Sequence, residues 1–367
     1  MIFTTLAIIG IVLTTVQTVL AIRLRRRVQA SSPVDAFVSI LKPVCGLDDE
    51  LEENLLSFVS LHGMQYEVII SIEDRDDPAL PLATTMVRDH PDVFRLVVGG
   101  GSRRRGIINR KVERLVDAAA IARGSILFIS DSNVRVEPDD IRRTIDRFSD
   151  PRLGCVSNLF VGAGAKDLGA AIESLHLLMF VAPGAALAGA AGVPCVVGKS
   201  MAISRNALDA IGGFHAFARV LAEDQAIGLA VKNAGFEVVL SPIVVRNIIV
   251  RRSVKRALER QIRWNKIRYA FSRRLFAAEI LLNPLLFAMF ASPLVVLIVL
   301  AARYAQAFAL RRTTRSDLSI WQVPLLDAVM LYAWFVPFFS NRITWRGYEA
   351  RIGPGTEFLE CGALAPP

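Results

Sequence analysis

The sequence is poor in the residues that build metal-bound and disulfide-bonded scaffolds. Among its 367 residues there are only four histidines and four cysteines. Cys45, Cys155, Cys195 and Cys361 lie far apart, without a CxxC pair and without a nearby pair of histidines. A structural zinc site and a disulfide framework are therefore not expected, and reduced thiols are the default. Internal repeats are also lacking, which excludes a solenoid.

Charged residues are scarce as well. They make up 21% of the chain, against 53% hydrophobic residues, and the mean hydropathy is +0.43. This balance excludes a disordered chain; it is too apolar for an ordinary soluble domain and too charged for a protein made only of membrane spans. The 43 basic and 34 acidic residues leave a net charge of +9. In a membrane protein such an excess favours anionic lipid headgroups or an anionic substrate over nucleic acid.

The first apolar segment covers residues 2–22 and contains no charged residue. A run of about 20 apolar residues is long enough to span a bilayer. Four arginines follow within residues 23–27, whereas a cleaved signal peptide would carry its positive charge before the apolar run. We therefore predict an uncleaved anchor over 1–22 with a cytosolic flank, followed by a basic linker over 23–35.

Two further apolar regions stand near the other end of the chain, at 275–302 and at 319–340. The first is interrupted by Glu279, Pro284 and Pro293. It fits one tilted span, an interfacial helix followed by a span, or a short re-entrant hairpin. We predict membrane helices within 275–340 and a C-terminal tail over 341–367, with the number of spans open.

Residues 36–250 carry the pattern of an α/β domain. Short β-branched runs alternate with stretches of helical spacing; the runs are 37–41, 68–72, 94–98 and 126–129, and the helical stretches are 51–61, 80–89 and 111–122. This alternation predicts a mostly parallel sheet with helices on both faces. Ligands bind such sheets outside the carboxyl ends of the strands, where Asp74 and Asp131 are expected.

Two strand ends carry candidate binding residues. Asp131-Ser132-Asn133 directly follows an apolar run, and the side-chain oxygens of Asp131 and Asn133 suit Mg²⁺ or Mn²⁺ on a diphosphate. The alternative is a plain strand-end turn. Asp74 can hydrogen-bond a nucleotide base or ribose, or it can belong to an ordinary polar loop.

Two other segments also allow two readings. Gly99–Gly101 and Arg103–Arg105 form a glycine-rich cationic loop, which suits phosphate oxygens or is simply solvated. Glu223-Asp224 opens an apolar helical stretch. These carboxylates either stabilise the start of the helix, or Asp224 serves as a general base.

A basic amphipathic helix is predicted over 251–274. Arg260 and Arg263 are three residues apart, so they project from one face and can clamp a diphosphate. Trp264 offers a flat surface to a sugar or a lipid. The alternative, a helix lying on an anionic membrane, explains the remaining basic residues of this segment but not a tryptophan beside this arginine pair.

Taken in order, these motifs resemble a known pattern. Asp74, Asp131, Asp224 and Arg260-xx-Arg263-Trp264 follow the D, D, D, (Q/R)xxRW order of membrane-bound β-glycosyltransferases. More closely, the chain resembles the ceramide glucosyltransferase family. The matching stretches are Ser39–Pro43 with Gly46, Asp74–Ala79, Asp131-Ser132, Ala222–Asp224, Arg260–Trp264 and Ile343–Arg346. The likeness covers nearly the whole chain, and the four ordered motifs together are specific.

The resemblance implies an α/β fold of the GT-A class, a nucleotide-diphosphosugar domain over 36–250 that faces the cytosol. It implies inverting transfer of a sugar from a UDP-sugar, UDP-glucose first, to a hydroxyl of a membrane lipid. On the donor side, the resemblance implies that Asp74 contacts the uridine, that Lys111 helps to place the donor, and that Asp131 with Asn133 binds a divalent metal, Mg²⁺ or Mn²⁺. It implies that Asp224 deprotonates the acceptor hydroxyl. The residues implied to hold the diphosphate and the acceptor end are Arg260, Arg263 and Trp264.

One departure leaves the acceptor open. Animal members of the family carry a His-Pro ahead of the region matching Pro194–Gly198, whereas residues 180–192 here contain no histidine. Ceramide is the first expectation and a hopanoid the alternative. A non-catalytic membrane protein that binds lipid or nucleotide is a weaker alternative, and nucleic acid is not an expected partner. The protein is expected to be multi-pass, in the inner membrane if bacterial and in the Golgi or endoplasmic reticulum if eukaryotic.

Overall fold

A computed structural model of the chain describes residues 1–27, 32–99, 108–345 and 348–363. The predicted cationic loop beyond Gly99, part of the basic linker, and Arg346 lie outside the described residues. The chain divides into two compact units. We call Arg26–Phe160 with Ala188–Ile248 the sheet unit, and Met1–Arg25, Val161–Leu187 and Ile249–Pro367 the helical unit. Residues 161–187 of the predicted catalytic domain thus belong to the helical unit.

The sheet unit holds nearly all of an eight-stranded sheet. Its strands are β1 (Phe37–Val44), β2 (Gln65–Ile72), β3 (Phe94–Val98), β4 (Ile126–Ser130), β5 (Val134–Arg135), β6 (Leu153–Ala163), β7 (Ser200–Ser204) and β8 (Glu237–Ile248). The spatial order is β3-β2-β1-β4-β7-β6-β8-β5. The four strands predicted from sequence are present, and they form the parallel half. The pairs β4–β7, β6–β7 and β5–β8 are antiparallel, so the sheet is mixed.

Fourteen α-helices are described. They are α1 (Ile2–Arg26), α2 (Leu51–Leu56), α3 (Leu80–Asp89), α4 (Arg110–Ile121), α5 (Asp140–Ile145), α6 (Leu168–His176), α7 (Ala182–Ala190), α8 (Arg205–Ala210), α9 (Glu223–Asn233), α10 (Val254–Phe271), α11 (Arg273–Ala278), α12 (Pro284–Met289), α13 (Pro293–Thr314) and α14 (Val323–Phe335). The helical segments predicted at 51–61, 80–89, 111–122 and 251–274 are all present, within a few residues except for the shorter α2.

Helix α4 packs its apolar side on the centre of the sheet. Val112, Leu115 and Ala118 belong to the same buried cluster as Leu41 of β1 and Leu127 of β4. Side chains three and four residues apart share one face of a helix, which explains why this spacing buries the helix on the sheet. The packing fixes the start of α4 near the carboxyl ends of these strands.

The helical unit contains the membrane candidates. Among the residues that the structure describes, three helical stretches are long and apolar enough to cross a bilayer by length and composition: Ile2–Arg26, Leu168–Ala190 and Pro293–Thr314. The first covers the segment predicted to be the anchor. The second was not foreseen; it runs through α6, a π-helical turn and α7, and most of it is buried within the protein.

Region 275–302 is broken into short helices before the long one. Helices α12 and α13 begin at Pro284 and Pro293, because proline lacks the N–H that a continuous helix would need. The region therefore contains short helices followed by one long helix. Helix α14 has 13 residues, fewer than a span requires. The tail forms a three-stranded antiparallel sheet of β9 (Arg342–Trp345), β10 (Tyr348–Ile352) and β11 (Phe358–Ala363).

A buried polar network ties the long helices together inside this unit. Arg303 on α13 binds Asp327 on α14 through two hydrogen bonds of 3.0 and 2.7 Å. Gln306 accepts a hydrogen bond from Arg303 and donates to Thr14 and Thr15 of α1. Buried charges are stable only when they are paired and hydrogen-bonded, and this network meets that condition.

Candidate active site

The carboxylate of Asp131 is the centre of the candidate site. It follows β4, all five residues of which are buried. Its Oδ1 lies 2.8 Å from Nζ of Lys111, and its Oδ2 lies 3.1 Å from Nζ of Lys199. Both oxygens therefore face positive charge at the edge of the sheet where an α/β fold binds its ligands.

Lys111 is held in place by the start of α4. The buried side chain of Asn109 accepts hydrogen bonds from the N–H groups of Lys111 and Val112, which caps the helix. The Nδ2 of Asn109 donates to Glu223 at the start of α9 over 3.1 Å. Glu223 in turn lies 3.0 Å from Nζ of Lys111. The capping and the ion pair together fix the lysine between Asp131 and Glu223.

Asp224 lies beside this pair and accepts two backbone hydrogen bonds. Gly198 donates its N–H over 2.7 Å and Gln225 donates over 2.8 Å. The carbonyl of Gly198 accepts from Nζ of Lys111 at 3.4 Å. A Cβ at Gly198 would lie only 2.7 Å from that Nζ, so a larger residue at this position would displace the ammonium of Lys111.

The charges in this cluster shift one another's pKa values. Burial and the neighbouring charge of Glu223 raise the pKa of Asp224 to about 6, even though Lys111 and two backbone donors oppose the shift. Burial disfavours the charged form of Asp131, but Lys111 and Lys199 outweigh it and hold the pKa of Asp131 well below its usual range. At neutral pH the site thus contains an ionised Asp131 and a carboxylate, Asp224, that can take up a proton.

Lys42 is a buried lysine that contacts the backbone of Asp131. Its Nζ donates to the backbone carbonyl of Asp131 over 2.8 Å and lies 4.3 Å from the centre of the Phe58 ring. Burial lowers the pKa of Lys42 to about 7, although the charges of Asp131 and Asp48 favour its protonated form. This lysine lies in the Ser39–Pro43 stretch that carries the family resemblance, but its role was not predicted.

Asp74 lies two residues beyond the end of β2, and β1 lies between β2 and β4. Its Oδ1 accepts the N–H of Asp76 over 3.0 Å. Asp77 accepts the N–H of Gly46 at 3.0 and 3.1 Å, and Gly46 adopts a φ of 70° that favours glycine. Two stretches that carry the resemblance, around Gly46 and Asp74, therefore hold each other at the edge of the sheet.

The two residues predicted to hold a metal both contact the ammonium group of one lysine. Oδ2 of Asp131 and Oδ1 of Asn133 lie 3.1 and 3.0 Å from the same ammonium, that of Lys199. Two oxygens that converge on one cation fit a site completed by diphosphate oxygens and water. Within the described ranges there is no group of three His, Cys, Asp or Glu side chains that could hold a metal by itself.

Arg260, Arg263 and Trp264 lie on α10 in the helical unit. Arg260 forms an ion pair with Glu173 of α6, whose side chain is 1% exposed. The guanidinium of Arg260 lies 4.8 Å from the Trp264 ring, which contacts the ring of His176 edge-on. Arg260 therefore fixes the orientation of the tryptophan.

Three of these charged residues were not predicted from the sequence as parts of the site around Asp131 or of the group around Arg260. They are Glu223, Lys199 and Glu173. Glu223 stood beside Asp224 in the sequence, where its acidic neighbour was the only signal. Lys199 and Glu173 are isolated charges in apolar stretches. Such a residue carries no spacing pattern, although a charge among apolar residues is itself a sign of a buried partner.

The chain is similar to several known proteins. A family model described as Glycosyl transferase family 21 matches residues 2–358. Ceramide glucosyltransferase 1 of Caenorhabditis elegans is 26% identical over 258 residues, which are 70% of this chain and 55% of that protein. Ceramide glucosyltransferase 3 of the same organism is 27% identical over 267 residues, 70% of this chain and 56% of that protein. The chain thus spans about half the length of these curated relatives.

The fold of this chain is similar to that of a solved structure over most of the length of both chains. That structure is the mannosyltransferase PcManGT from Pyrobaculum calidifontis in complex with GDP-Man and Mn²⁺, with a TM-score of 0.51 and 18% identity. The alignment covers 91% of this chain and 99% of that one. This likeness confirms the predicted GT-A fold.

Proposed function

Since the chain belongs to glycosyltransferase family 21, we propose that it transfers a sugar from a UDP-sugar to a hydroxyl of a membrane lipid. UDP-glucose is the first candidate for the donor and ceramide for the acceptor, in keeping with the C. elegans relatives that are named ceramide glucosyltransferases. The observation that carries the proposal is the cluster in which Lys111 lies between the carboxylates of Asp131 and Glu223, with Asp224 beside it.

Asp224 is the proposed general base. A pKa of about 6 leaves it ionised at neutral pH and makes it a stronger base than an ordinary aspartate. It removes the proton of the lipid hydroxyl, whose oxygen then attacks the anomeric carbon of the sugar. The bond from that carbon to the diphosphate oxygen breaks, and its electron pair leaves with UDP. A single displacement inverts the anomeric carbon, so an α-linked donor gives a β-linked glycolipid.

Negative charge develops on the diphosphate as it leaves, and positively charged groups must stabilise it. Lys111 is positioned by Asn109 and Glu223 to supply part of the positive charge. Asp131 and Asn133 would hold a divalent cation, Mg²⁺ or Mn²⁺, which supplies further charge to the diphosphate when bound. The Mn²⁺ in the mannosyltransferase complex named above supports this choice. Asp74 is proposed to contact the uridine.

The arginine and tryptophan residues of α10 also have proposed roles in the reaction. Arg260 and Arg263 contact the diphosphate and Trp264 contacts the acceptor end, as the family resemblance implies. The ion pair of Arg260 with Glu173 supports a second role for Arg260, which is to hold the ring of Trp264 in place. A planar guanidinium can serve both purposes because it presents several N–H donors.

We propose that the protein is an integral, multi-pass membrane protein with its sheet unit in the cytosol. The three candidate spanning stretches and the arginines that follow the first of them support this orientation. The basic residues of α10 would lie against the anionic bilayer. The location is the inner membrane in a bacterium, or the Golgi or endoplasmic reticulum in a eukaryote; nucleic acid has no proposed role.

A hopanoid is the second candidate acceptor. Residues 180–192 lack the histidine expected of the animal ceramide enzymes, and this alanine- and glycine-rich segment is the part of the chain that we associate with the lipid. A change in this segment would alter the acceptor and leave the donor chemistry intact.

The test is a transfer assay on membranes that contain the protein. Radiolabelled UDP-glucose, UDP-galactose and UDP-N-acetylglucosamine are supplied in parallel with Mg²⁺, and with ceramide or a hopanoid added. We expect label from UDP-glucose in a ceramide-sized lipid. Label in a lipid resistant to ceramide hydrolysis would move the acceptor to the hopanoid. Absence of label from every donor, with both acceptors present, would contradict the proposal.

A further inference from the structure

Lys199 makes contacts that the proposed reaction does not yet use. Its side chain is 11% exposed and its ammonium bridges Asp131 and Asn133 at 3.1 and 3.0 Å. These two residues are the proposed metal ligands. We propose, building on the proposed function, that Lys199 is an internal cation that occupies the metal position and that a divalent ion must displace from Asp131 and Asn133.

The backbone holds Lys199 opposite Asp131. Ser200, the next residue, pairs with Ser130 in the antiparallel ladder of β7 and β4. The carbonyl of Lys199 accepts the N–H of Asp131 over 3.3 Å. The main chain of Lys199 is therefore fixed beside the site, while its four-carbon side chain is free to change direction by rotating about single bonds.

The two lysines on Asp131 differ in what else holds them. Lys111 also binds Glu223 at 3.0 Å and the carbonyl of Gly198 at 3.4 Å. The side-chain hydrogen bonds described for Lys199 go to Asp131 and Asn133. A cation that takes these two oxygens leaves Lys111 with Glu223, but it removes the partners of Lys199. Lys199 is therefore the lysine that moves.

Displacement follows from charge and geometry. An ammonium and a divalent cation repel each other at the distance set by a shared carboxylate. The ammonium of Lys199 lies between the oxygens of Asp131 and Asn133, so an ion bound by both oxygens needs the position that the ammonium occupies. Once displaced, the ammonium is still tethered beside the site. It can then bind the diphosphate, so the positive charge that it brings to the site is kept.

The test measures binding of Mn²⁺ alone to the full-length purified protein, by water-proton relaxation, without donor or acceptor. Lys199→Met removes the charge and keeps the length of the side chain. Lys199→Arg keeps the charge. Lys232→Met is the matched control, because Lys232 is an exposed lysine of the same unit that binds the carbonyl of Gly192.

We expect Mn²⁺ to bind Lys199→Met roughly tenfold more tightly than the unchanged protein, since the ion no longer has to break an ion pair. Lys199→Arg and Lys232→Met should bind Mn²⁺ like the unchanged protein. If Lys199→Met does not fold, Lys199→Gln replaces it in the comparison with Lys199→Arg, and the same order of affinities is expected.

Equal Mn²⁺ affinity of the unchanged protein and Lys199→Met would overturn the proposal, and so would weaker binding by Lys199→Met. These results would leave the proposed transfer reaction standing if label still reaches lipid in the transfer assay. Loss of Mn²⁺ binding by Asp131→Asn, measured beside these variants, is expected as well. Binding that survives this substitution would place the ion elsewhere and also overturn the proposal.

Discussion

The sheet unit and the helical unit both bury charged side chains, but they satisfy them in different ways. In the helical unit, Arg303 and Asp327 are 2% and 1% exposed and match each other through two hydrogen bonds. In the sheet unit, Asp131, Glu223 and Asp224 share the charge of Lys111. The carboxylate of Asp131 remains 24% exposed there.

This difference separates a structural pair from a reactive cluster. A closed, balanced pair has no remaining capacity for a ligand, and removing one partner leaves the other as an uncompensated buried charge. A cluster with excess carboxylates can take up a proton or a cation. The pKa of Asp224, raised to about 6 mainly by burial and by Glu223, shows this unbalanced state. Perturbed pKa values of this kind are concentrated at functional sites.

The largest expected effect is on transfer, from Asp224→Asn. The substitution preserves the shape of the side chain but removes the base, so the rate of sugar transfer should fall by about a thousandfold. The matched control is Asp209→Asn, which makes the same chemical change at an exposed residue of α8. A rate for Asp224→Asn close to that of Asp209→Asn would remove Asp224 from the proposed mechanism.

The next expected effect is on stability, and it comes from breaking the ion pair of Arg303 and Asp327 in the helical unit. Asp327→Leu leaves the buried guanidinium of Arg303 without its carboxylate, which should cost about 3 kcal/mol of stability. The combined variant Arg303→Met with Asp327→Leu should recover most of that loss, because it buries neither charge. Thermal unfolding in detergent micelles measures both. A double variant no more stable than Asp327→Leu would show that the pair does more than satisfy its own charges.

The transfer rate should also depend on pH through Asp224. The transfer rate should fall about tenfold per pH unit below pH 6, because protonation of Asp224 removes the base. Its pKa is raised by folding, so the protonated form stabilises the folded protein. This stabilisation is complete below the unfolded-state pKa of about 4 and is lost as the pH rises through about 6.

Asp224→Asn consequently tests the same pKa through stability. Between pH 4 and neutral pH, the free energy of unfolding of the variant should rise relative to that of the unchanged protein by on the order of 2 kcal/mol, because only the unchanged protein loses the stabilisation by protonated Asp224. Thermal unfolding of the two proteins across this pH range checks the sign. A relative stability that stays constant across this pH range would show that folding does not raise the pKa of Asp224.

The smallest expected effect concerns Glu173. Glu173→Gln weakens the ion pairs with Arg260 and Arg252 and should cost about 1–2 kcal/mol of stability. Because Arg260 then no longer fixes Trp264, the KM for the lipid acceptor should rise severalfold while kcat changes little. Glu259→Gln, an exposed glutamate on α10, is the control. A fall in kcat alone would assign Glu173 a different role.

The sequence was informative where a pattern repeats or a motif is ordered. The parallel strands and α4 were predictable, because β-branched runs and helical spacing recur between residues 36 and 130. Strands β6 and β8 were not, since each is long and runs without a clear turn signal at the expected spacing. The helix over Leu168–Ala190 was missed because its small residues give no distinct apolar face when most of its surface is buried.

The candidate site was predicted in part for the same reason. Asp131, Asp224 and Lys111 lie in short motifs, and the structure brings them together. The partners Glu223 and Lys199 are set by tertiary contacts between α4, α9 and β7, and such pairs leave no local spacing in the sequence. The role of Asp74 stays a prediction, since its described hydrogen bond is to the backbone of its own loop.

The most direct test of this account is one transfer assay on three proteins, with radiolabelled UDP-glucose and lipid acceptor in matched membranes. The proteins are the unchanged chain, Asp224→Asn, and the combined variant Arg303→Met with Asp327→Leu. We predict label in lipid for the unchanged chain and for the combined variant, and almost none for Asp224→Asn. Label retained by Asp224→Asn at the unchanged rate would contradict the account.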